Sequence, residues 1–225
     1  MNKEILVEGL TKTYNVTTNI QTVLDNVDLC IYKGELVALM GASGCGKTTL
    51  LKILSGMSEP TKGDVYLRGE RVDYSSKKKR LSIRREIVSY IPQTYSLIDE
   101  KTIFENTIIS VRKKEYKENY YEKVYDILEY LGLDNKAESF PPFLSSGEKQ
   151  RVTIARALVD DKEIILADEP TGSLDEKNAQ NVVWRLKSLA HEYGKTIIMA
   201  THDEEMANMC DRKIYMSYGK IKEEK

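Results

Sequence analysis

Residues 41–48 read GASGCGKT and match the pattern G-x-x-x-x-G-K-[ST], with a buried strand predicted before them and a helix from about Lys47. Glycines let the backbone curl so that its N–H groups face a common centre. The helix N-terminus adds about half a positive charge. We therefore predict a phosphate-binding loop for a nucleoside triphosphate, in which Lys47 reaches the β- and γ-phosphates and the Thr48 hydroxyl binds Mg²⁺. The predicted nucleotide-binding residues of the loop are Gly41, Ala42, Ser43, Gly44, Cys45, Gly46, Lys47, Thr48 and Thr49.

Two adjacent carboxylates follow a second apolar strand, where residues 164–169 read IILADE. Burying two carboxylates costs free energy unless they contact a cation or polar groups. Asp168 is predicted to hold Mg²⁺ beside Thr48. Glu169 is predicted to reach water near the γ-phosphate as a general base, a role that contributes roughly 10²- to 10⁴-fold in rate. A solvated turn would explain one carboxylate better than two.

Strand and helix patterns alternate along the chain, which predicts a mostly parallel sheet covered on both faces. Apolar strands are predicted over residues 35–40, 88–91, 164–167 and 196–200, and helices over residues 47–54, 146–158 and 176–193. Strand-like patterns at residues 5–8, 27–31 and 63–72 lie towards the N-terminus. A helical stretch from residue 94 interrupts the alternation. We interpret it as a helical subdomain, about residues 94–158, inserted into a single domain of residues 1–225.

Composition excludes several classes of protein. The 34 basic residues balance 35 acidic ones, which argues against a nucleic-acid-coating protein. No apolar run approaches the ~20 residues of a spanning helix, and charges interrupt the opening MNKEILVEGL, so we expect neither a membrane span nor an export signal. The basic run at residues 77–80, with Arg84 and Arg85, is interpreted as a solvated loop; proximity to anionic lipid headgroups is the weaker alternative.

Four further segments carry a family resemblance. Residues 144–151 read LSSGEKQR, Gln93 follows the strand at residues 88–91, residues 173–175 read SLD after the carboxylates, and His202 follows the last apolar strand. Together with the phosphate loop these segments resemble the ATP-binding cassette (ABC) ATPases, from about residue 5 to the C-terminus. The resemblance implies an α/β P-loop NTPase fold with a mostly parallel core sheet, an N-terminal antiparallel β subdomain and an inserted α-helical subdomain.

The resemblance also implies roles around ATP. Tyr14 would stack on adenine, a contact worth about 1–3 kcal/mol by analogy with other base–aromatic stacking. Gln93 would touch Mg²⁺ or the attacking water. His202 would contact the γ-phosphate and help Glu169 to position the water. Glu169, His202 and Gln93 are thus the candidate catalytic residues, and Thr48, Gln93 and Asp168 the candidate magnesium ligands.

The LSSGE segment implies a homodimer. A helix N-terminus at Ser145, Ser146, Gly147 and Glu148 would form a second anion cradle that meets the ATP bound to the other subunit. Two ATP molecules would then join two copies head to tail, with Asp175 beside the partner's phosphate loop. Ser146 departs from the usual LSGGQ, in which glycine stands at that position, and Glu148 is a frequent variant of the final glutamine.

The run DEPTGSLD at residues 168–175 resembles the branch of macrolide exporters, lipoprotein-release ATPases and bacitracin-type peptide-resistance transporters. The resemblance implies a cytoplasmic chain on the inner face of the membrane, docked on a separate permease through a groove beside Gln93. Its implied function is export or extraction of a hydrophobic compound, lipoprotein or antimicrobial peptide. The alternative is an ATP-switched regulatory module acting on a cell-wall hydrolase or sensor kinase. A P-loop kinase would have no use for LSSGE.

Overall fold

A computed structural model describes residues 2–16, 19–109, 111 and 120–224. The strands are β1 (Lys3–Val16), β2 (Asn19–Tyr32), β3 (Leu36–Met40), β4 (Lys62–Leu67), β5 (Glu70–Arg71), β6 (Val88–Ile91), β7 (Ile164–Asp168), β8 (Thr196–Thr201), β9 (Arg212–Ser217) and β10 (Lys220–Glu224). The helices are α1 (Lys47–Leu54), α2 (Lys77–Glu86), α3 (Ile103–Ile108), α4 (Tyr120–Tyr130), α5 (Ser146–Val159), α6 (Glu176–Tyr193) and α7 (Glu204–Asn208).

The larger sheet has the strand order β10-β9-β3-β8-β7-β6. Every neighbouring pair from β9 to β6 is parallel, and only β10 runs antiparallel to its neighbour. Alternate residues of β7 face opposite sides: Ile165 and Ala167 pack among residues of α5 and α6, whereas Ile164 and Leu166 pack among residues of α1 and the smaller sheet. The predicted mostly parallel sheet with two covered faces is confirmed.

The smaller sheet is antiparallel, in the order β2-β1-β4-β5. The strands predicted at residues 5–8 and 27–31 are parts of two strands of 14 residues each. Register shifts interrupt the β1–β2 pairing at several points, including one between Val7 and Leu10. Such bulges break the strict alternation of apolar residues on which a strand prediction depends, which explains why the sequence revealed only the regular parts.

The basic run at residues 77–80 forms helix α2, so its interpretation as a loop is wrong. The Ser76 hydroxyl accepts a hydrogen bond from the Lys79 N–H and caps the helix. Ile83 is buried in the core shared with α1. Arg84 donates to the backbone oxygen of Ser55. The lysines are exposed as expected, but one buried side chain and a capped first turn outweigh the charge run.

The helical segment packs on the core through α5, which α3 and α4 contact. Val124 and Leu128 of α4 are buried on one face together with Leu131, in agreement with the helical stretch predicted from residue 94. Residues 110 and 112–119 of that stretch lie outside the described residues. Within the described ranges, no helix is both long and apolar enough to cross a bilayer.

Asn106 on α3 ties this segment to the chain that follows β6. Its side chain is 0% exposed. Its oxygen accepts from the Ile98 N–H (2.8 Å), and its amide nitrogen donates to the carbonyl oxygens of Ile98, Lys101 and Thr102 at 2.9–3.0 Å. Arg156 of α5 donates to the Asn106 backbone oxygen as well. The buried side-chain amide of Asn106 therefore fixes the backbone of residues 98, 101 and 102, at the end of the segment that begins at Gln93.

Asn106→Ala should lower the free energy of unfolding by about 2–4 kcal/mol, because each buried backbone group left without a partner costs about 1–3 kcal/mol. Urea unfolding followed by circular dichroism measures the change. The matched control is Asn135→Ala, since Asn135 is exposed and should shift stability by no more than about 0.5 kcal/mol. Equal midpoints for the two variants would contradict this account of Asn106.

Candidate nucleotide-binding site

The loop between β3 and α1 can be built only with glycine at two positions. Gly41 has φ +152°, and a Cβ there would lie 2.3 Å from the Met216 carbonyl oxygen. Gly46 has φ +115°, and its Cβ would lie 2.9 Å from Leu24 Cδ2. Gly46 is also the N-cap of α1, where no side chain caps the helix and the first turn holds no acidic residue. The N–H groups at this end of α1 are therefore available to an anion.

A cavity of about 470 Å³ lies over the loop. Its lining comes from β2, from the loop and start of α1, and from three residues that follow β6, β7 and β8. The lining residues are Val23, Ala42, Ser43, Gly44, Gly46, Lys47, Thr48, Thr49, Gln93, Glu169 and His202. The last three follow parallel strands whose carboxyl ends meet at one edge of the sheet, where ligands of open α/β sheets bind.

Lys47 is almost enclosed, with 5% of its surface exposed. Its ammonium group donates to the carbonyl oxygens of Gly41 (2.7 Å) and Ala42 (3.2 Å) and lies 3.8 Å from Glu169 Oε1. A buried ammonium group is stable only with such partners. The cavity therefore contains a positive charge that lies at the carbonyl oxygens of the phosphate loop.

Asp168 ends β7 with a carboxylate that is 4% exposed. The Thr48 hydroxyl donates to its Oδ1 (2.9 Å), and the Tyr90 hydroxyl donates to its Oδ2 (2.9 Å). Burial, followed by the charge of Asp168, raises the pKa of Tyr90. Hard oxygen donors of the Thr48 and Asp168 type suit Mg²⁺, so the donor set fits that ion. Sequence reasoning missed Tyr90, whose only signal was an aromatic residue three positions before Gln93.

Glu169 is the point on which the cavity's polar side chains converge. Gln93 Nε2 donates to its Oε2 (3.3 Å), and His202 Nδ1 lies 3.4 Å from its Oε1, beside the Lys47 contact. Glu169 has φ +48°, a left-handed conformation that costs a non-glycine residue of order 1–3 kcal/mol. The Glu169 N–H donates to the Ala200 carbonyl oxygen at 3.0 Å and helps to hold this turn. The three residues predicted to be catalytic are thus brought together.

Three predicted nucleotide contacts, Tyr14, Gly41 and Cys45, do not line this cavity. Tyr14 on β1 is 41% exposed, with the Lys12 ammonium 4.9 Å from its ring centre. It is absent from the cavity lining, which Val23 of the paired strand joins instead. Cys45 is buried behind the loop near Gly41. Stacking by Tyr14 stays a prediction.

The LSSGE segment forms the start of α5 and does not line the cavity. Ser145 caps the helix: its N–H and hydroxyl both donate to Glu148 Oε2 (2.8 and 2.9 Å), and its Oγ accepts from the Glu148 N–H (3.3 Å). The hydrogen bond from the Ser145 N–H is the largest cause of the lowered pKa of Glu148.

The start of α5 also contacts the start of α6. Gly147 lies against Asn178 of α6, and a Cβ added at Gly147 would be 3.3 Å from the Asn178 side chain. Asn178 in turn donates to Asp175, the N-cap of α6. The two helix starts therefore lie side by side, with Ser145, Ser146 and Asp175 exposed.

A glycine-rich loop between a buried strand and a helix, with a carboxylate at the end of another strand of the same sheet, defines a P-loop nucleoside triphosphatase. Residues 24–172 match the family described as ABC transporter. The chain therefore belongs to the ABC transporter family, and it is an ATP-binding cassette ATPase.

Individual relatives agree with this assignment. The lipoprotein-releasing system ATP-binding protein LolD of Francisella tularensis subsp. tularensis (strain FSC 198) is 40% identical over 218 residues, 96% of this chain and 94% of the relative. The macrolide export ATP-binding/permease protein MacB of Escherichia coli is 38% identical over 98% of this chain, which matches 34% of MacB. The dimeric structure of MJ0796, described as a bacterial ABC transporter cassette, superposes with a TM-score of 0.90 at 36% identity, covering 98% of this chain and 97% of that chain.

Lys47→Ala should weaken ATP binding by about 10- to 100-fold, because charge-assisted hydrogen bonds contribute about 1.5–3 kcal/mol each. Titration with a fluorescent ATP analogue measures the affinity. Lys52→Ala is the matched control, since Lys52 lies on the same helix with its side chain exposed and should leave the affinity unchanged. Unchanged affinity in the Lys47 variant would count against the phosphate loop.

Proposed function

We propose that this chain is the ATPase subunit of a membrane exporter or extractor, in which two copies close around two ATP molecules and drive a separate permease. The observation that carries the proposal is the convergence of Lys47, Gln93 and His202 on the Glu169 carboxylate beside the phosphate loop. That arrangement places a cation, an amide and an imidazole around one carboxylate, which can accept the proton of a water molecule as a general base.

Each residue receives a distinct role at the phosphates. Lys47 exchanges some of its hydrogen bonds to carbonyl oxygens for hydrogen bonds to β- and γ-phosphate oxygens. The N–H groups of the loop bind the remaining phosphate oxygens. Thr48, Asp168 and Gln93 would hold Mg²⁺, which would offset the negative charge of the phosphates. Glu169 takes the proton of the attacking water, while His202 keeps that water and the γ-phosphate in line. Tyr14 is the proposed adenine contact.

The dimer follows from the position of α5. Ser145, Ser146, Gly147 and Glu148 lie outside the cavity of their own chain, so any contact with ATP requires a second copy. The exposed Asp175 beside them would lie against the partner's loop. The relative MJ0796 has been solved as a dimer, and a further structure of it is described as a post-hydrolysis state bound to ADP and Pi.

The permease contact is proposed for the surface beyond Gln93. Large apolar side chains of the helical segment are exposed, including Ile98, five residues after Gln93, and Phe143, the latter 79% exposed. The whole of residues 1–225 would act as one cassette, with the insertion of about residues 94–158 facing the permease. The name of the relative LolD supports a lipoprotein as cargo, and that of MacB supports a macrolide, which is a hydrophobic compound. An antimicrobial peptide as cargo, and a position of the cassette at the inner face of the membrane, rest on the sequence resemblance alone.

Glu169→Gln should lower ATP hydrolysis by about 10²- to 10⁴-fold while preserving ATP binding, because the amide cannot take the proton of water. The ATP-bound dimer should therefore accumulate. Phosphate release and size-exclusion chromatography with ATP and Mg²⁺ measure both effects. Glu163→Gln, at the other end of the same strand, is the control and should hydrolyse ATP normally. A Glu169 variant with normal hydrolysis would refute the role of general base.

Glu148→Gln should lower the ATP concentration needed for dimerisation by about fivefold, since two unit charges 4 Å apart repel by about 1 kcal/mol in water. The amide oxygen can still accept from Ser145, but the charge facing the partner's γ-phosphate is removed. Both this variant and its control are measured in the Glu169→Gln background by light scattering.

The control is Glu105→Gln. Glu105 forms the same capping box with Thr102 at the start of α3, away from the proposed dimer contact. Both substitutions perturb one helix cap equally, so only Glu148→Gln should change dimerisation. A common shift in both variants would show that capping, and not charge at the interface, controls the dimer.

A further inference from the structure

Tyr90 is placed opposite β7 by the register of the parallel sheet. It pairs with Leu166 across β6 and β7, and Tyr90 and Leu166 belong to the same hydrophobic cluster on the α1 side of the sheet. Asp168 is two residues beyond Leu166 and therefore projects to the same face. The long phenol side chain spans the diagonal to Asp168, which a shorter side chain could not reach.

The Asp168 carboxylate is held through both of its oxygens by two different elements. Thr48 of α1 donates to Oδ1 and Tyr90 of β6 donates to Oδ2, both at 2.9 Å. Rotation about the last torsion of an aspartate is broad and nearly two-fold, so one partner alone would leave the plane of the carboxylate free to turn. A second donor on the opposite oxygen removes that freedom.

We propose that Tyr90 is a positioning residue for magnesium, whose hydroxyl fixes the orientation of the Asp168 carboxylate so that Oδ1 stays directed at the Thr48 hydroxyl. The inference rests on the proposed function of Thr48 and Asp168 as the groups that hold Mg²⁺. Tyr90 does not touch the ion or the nucleotide in this scheme. It acts through Asp168 alone.

Tyr90 on β6 and Gln93, two residues beyond the end of β6, connect Asp168 and Glu169 to one stretch of chain. Tyr90 lies on β6 and contacts Asp168, and Gln93, three residues further along, contacts Glu169. Movement of this stretch would therefore change the surroundings of both carboxylates together. Replacing Tyr90 by phenylalanine removes one oxygen atom and with it the hydrogen bond to Asp168.

Tyr90→Phe removes one oxygen and keeps the ring. We expect the Mg²⁺ concentration for half-maximal ATP hydrolysis to rise about five- to tenfold, in line with the net contribution of an ordinary hydrogen bond, since Tyr90 acts on the ion only through Asp168. The same shift is expected in the Mg²⁺ dependence of ADP affinity, measured with a fluorescent ADP analogue. ADP affinity without Mg²⁺ should be unchanged. A partly unfolded variant would bind ADP more weakly both with and without Mg²⁺, so an unchanged ADP affinity without Mg²⁺ shows that a loss of stability is not the cause of the shift.

Tyr74→Phe is the matched control. The Tyr74 hydroxyl donates to the Ile53 carbonyl oxygen at 2.9 Å, so this variant loses an equally short hydrogen bond next to α1 but away from the carboxylates. Its Mg²⁺ dependence should equal that of the unmodified protein. A similar shift in both variants would show a general effect on α1 and overturn the inference.

Asp168→Asn separates the inference from the proposed function. If the Asp168 variant keeps a normal Mg²⁺ dependence, the magnesium site itself is misassigned. If that variant shifts the dependence but Tyr90→Phe does not, only the role of Tyr90 fails. In an Asp168→Ala background, adding Tyr90→Phe should cause no further shift, because alanine leaves no carboxylate or amide for the Tyr90 hydroxyl to orient. A persistent further shift would overturn the inference.

Discussion

The buried ammonium group of Lys47 is the interaction on which the site depends. Protein encloses it, and only the carbonyl oxygens of the loop and the nearby Glu169 carboxylate compensate for the lost water. Those carbonyls point inward because Gly41 and Gly46 adopt conformations and close contacts that a side chain would prevent. The fold therefore stabilises a cation where we place the triphosphate, whose oxygens would replace partners that the protein already supplies.

The carboxylates at the end of β7 have different environments despite being adjacent. Asp168 is buried and held through both oxygens, as suits a group of fixed geometry near a metal ion. Glu169 leaves the strand through a left-handed backbone conformation and contacts three polar side chains at longer distances. That difference supports separate roles in positioning and in proton transfer, and it arises from the backbone turn between the two residues.

A chain of polar contacts runs from the cavity to the helical segment. Gln93 lies at the cavity, and the residues after it are fixed to α5 and α3: Thr153 donates to the Tyr95 carbonyl oxygen, and Asn106 holds Ile98. Tyr95 also contacts Ser173 near the start of α6. Closure of two cassettes around ATP would therefore be transmitted to the exposed apolar surface at which we place the permease, through hydrogen bonds and not through a flexible linker.

The sequence alone determined the phosphate loop, the β7 carboxylates, the parallel core sheet and the family, because each depends on residues close together in the chain or on a regular apolar period. Tertiary structure decided the rest. One of the two hydrogen-bond partners of Asp168 is Tyr90, 78 residues away, and the register of β6 against β7 brings them together. The same holds for the bulged length of β1 and β2 and for the helix formed by the basic run. Pairing across the sheet and burial of a side chain depend on residues that are far apart in the chain, so a local sequence pattern does not reveal them.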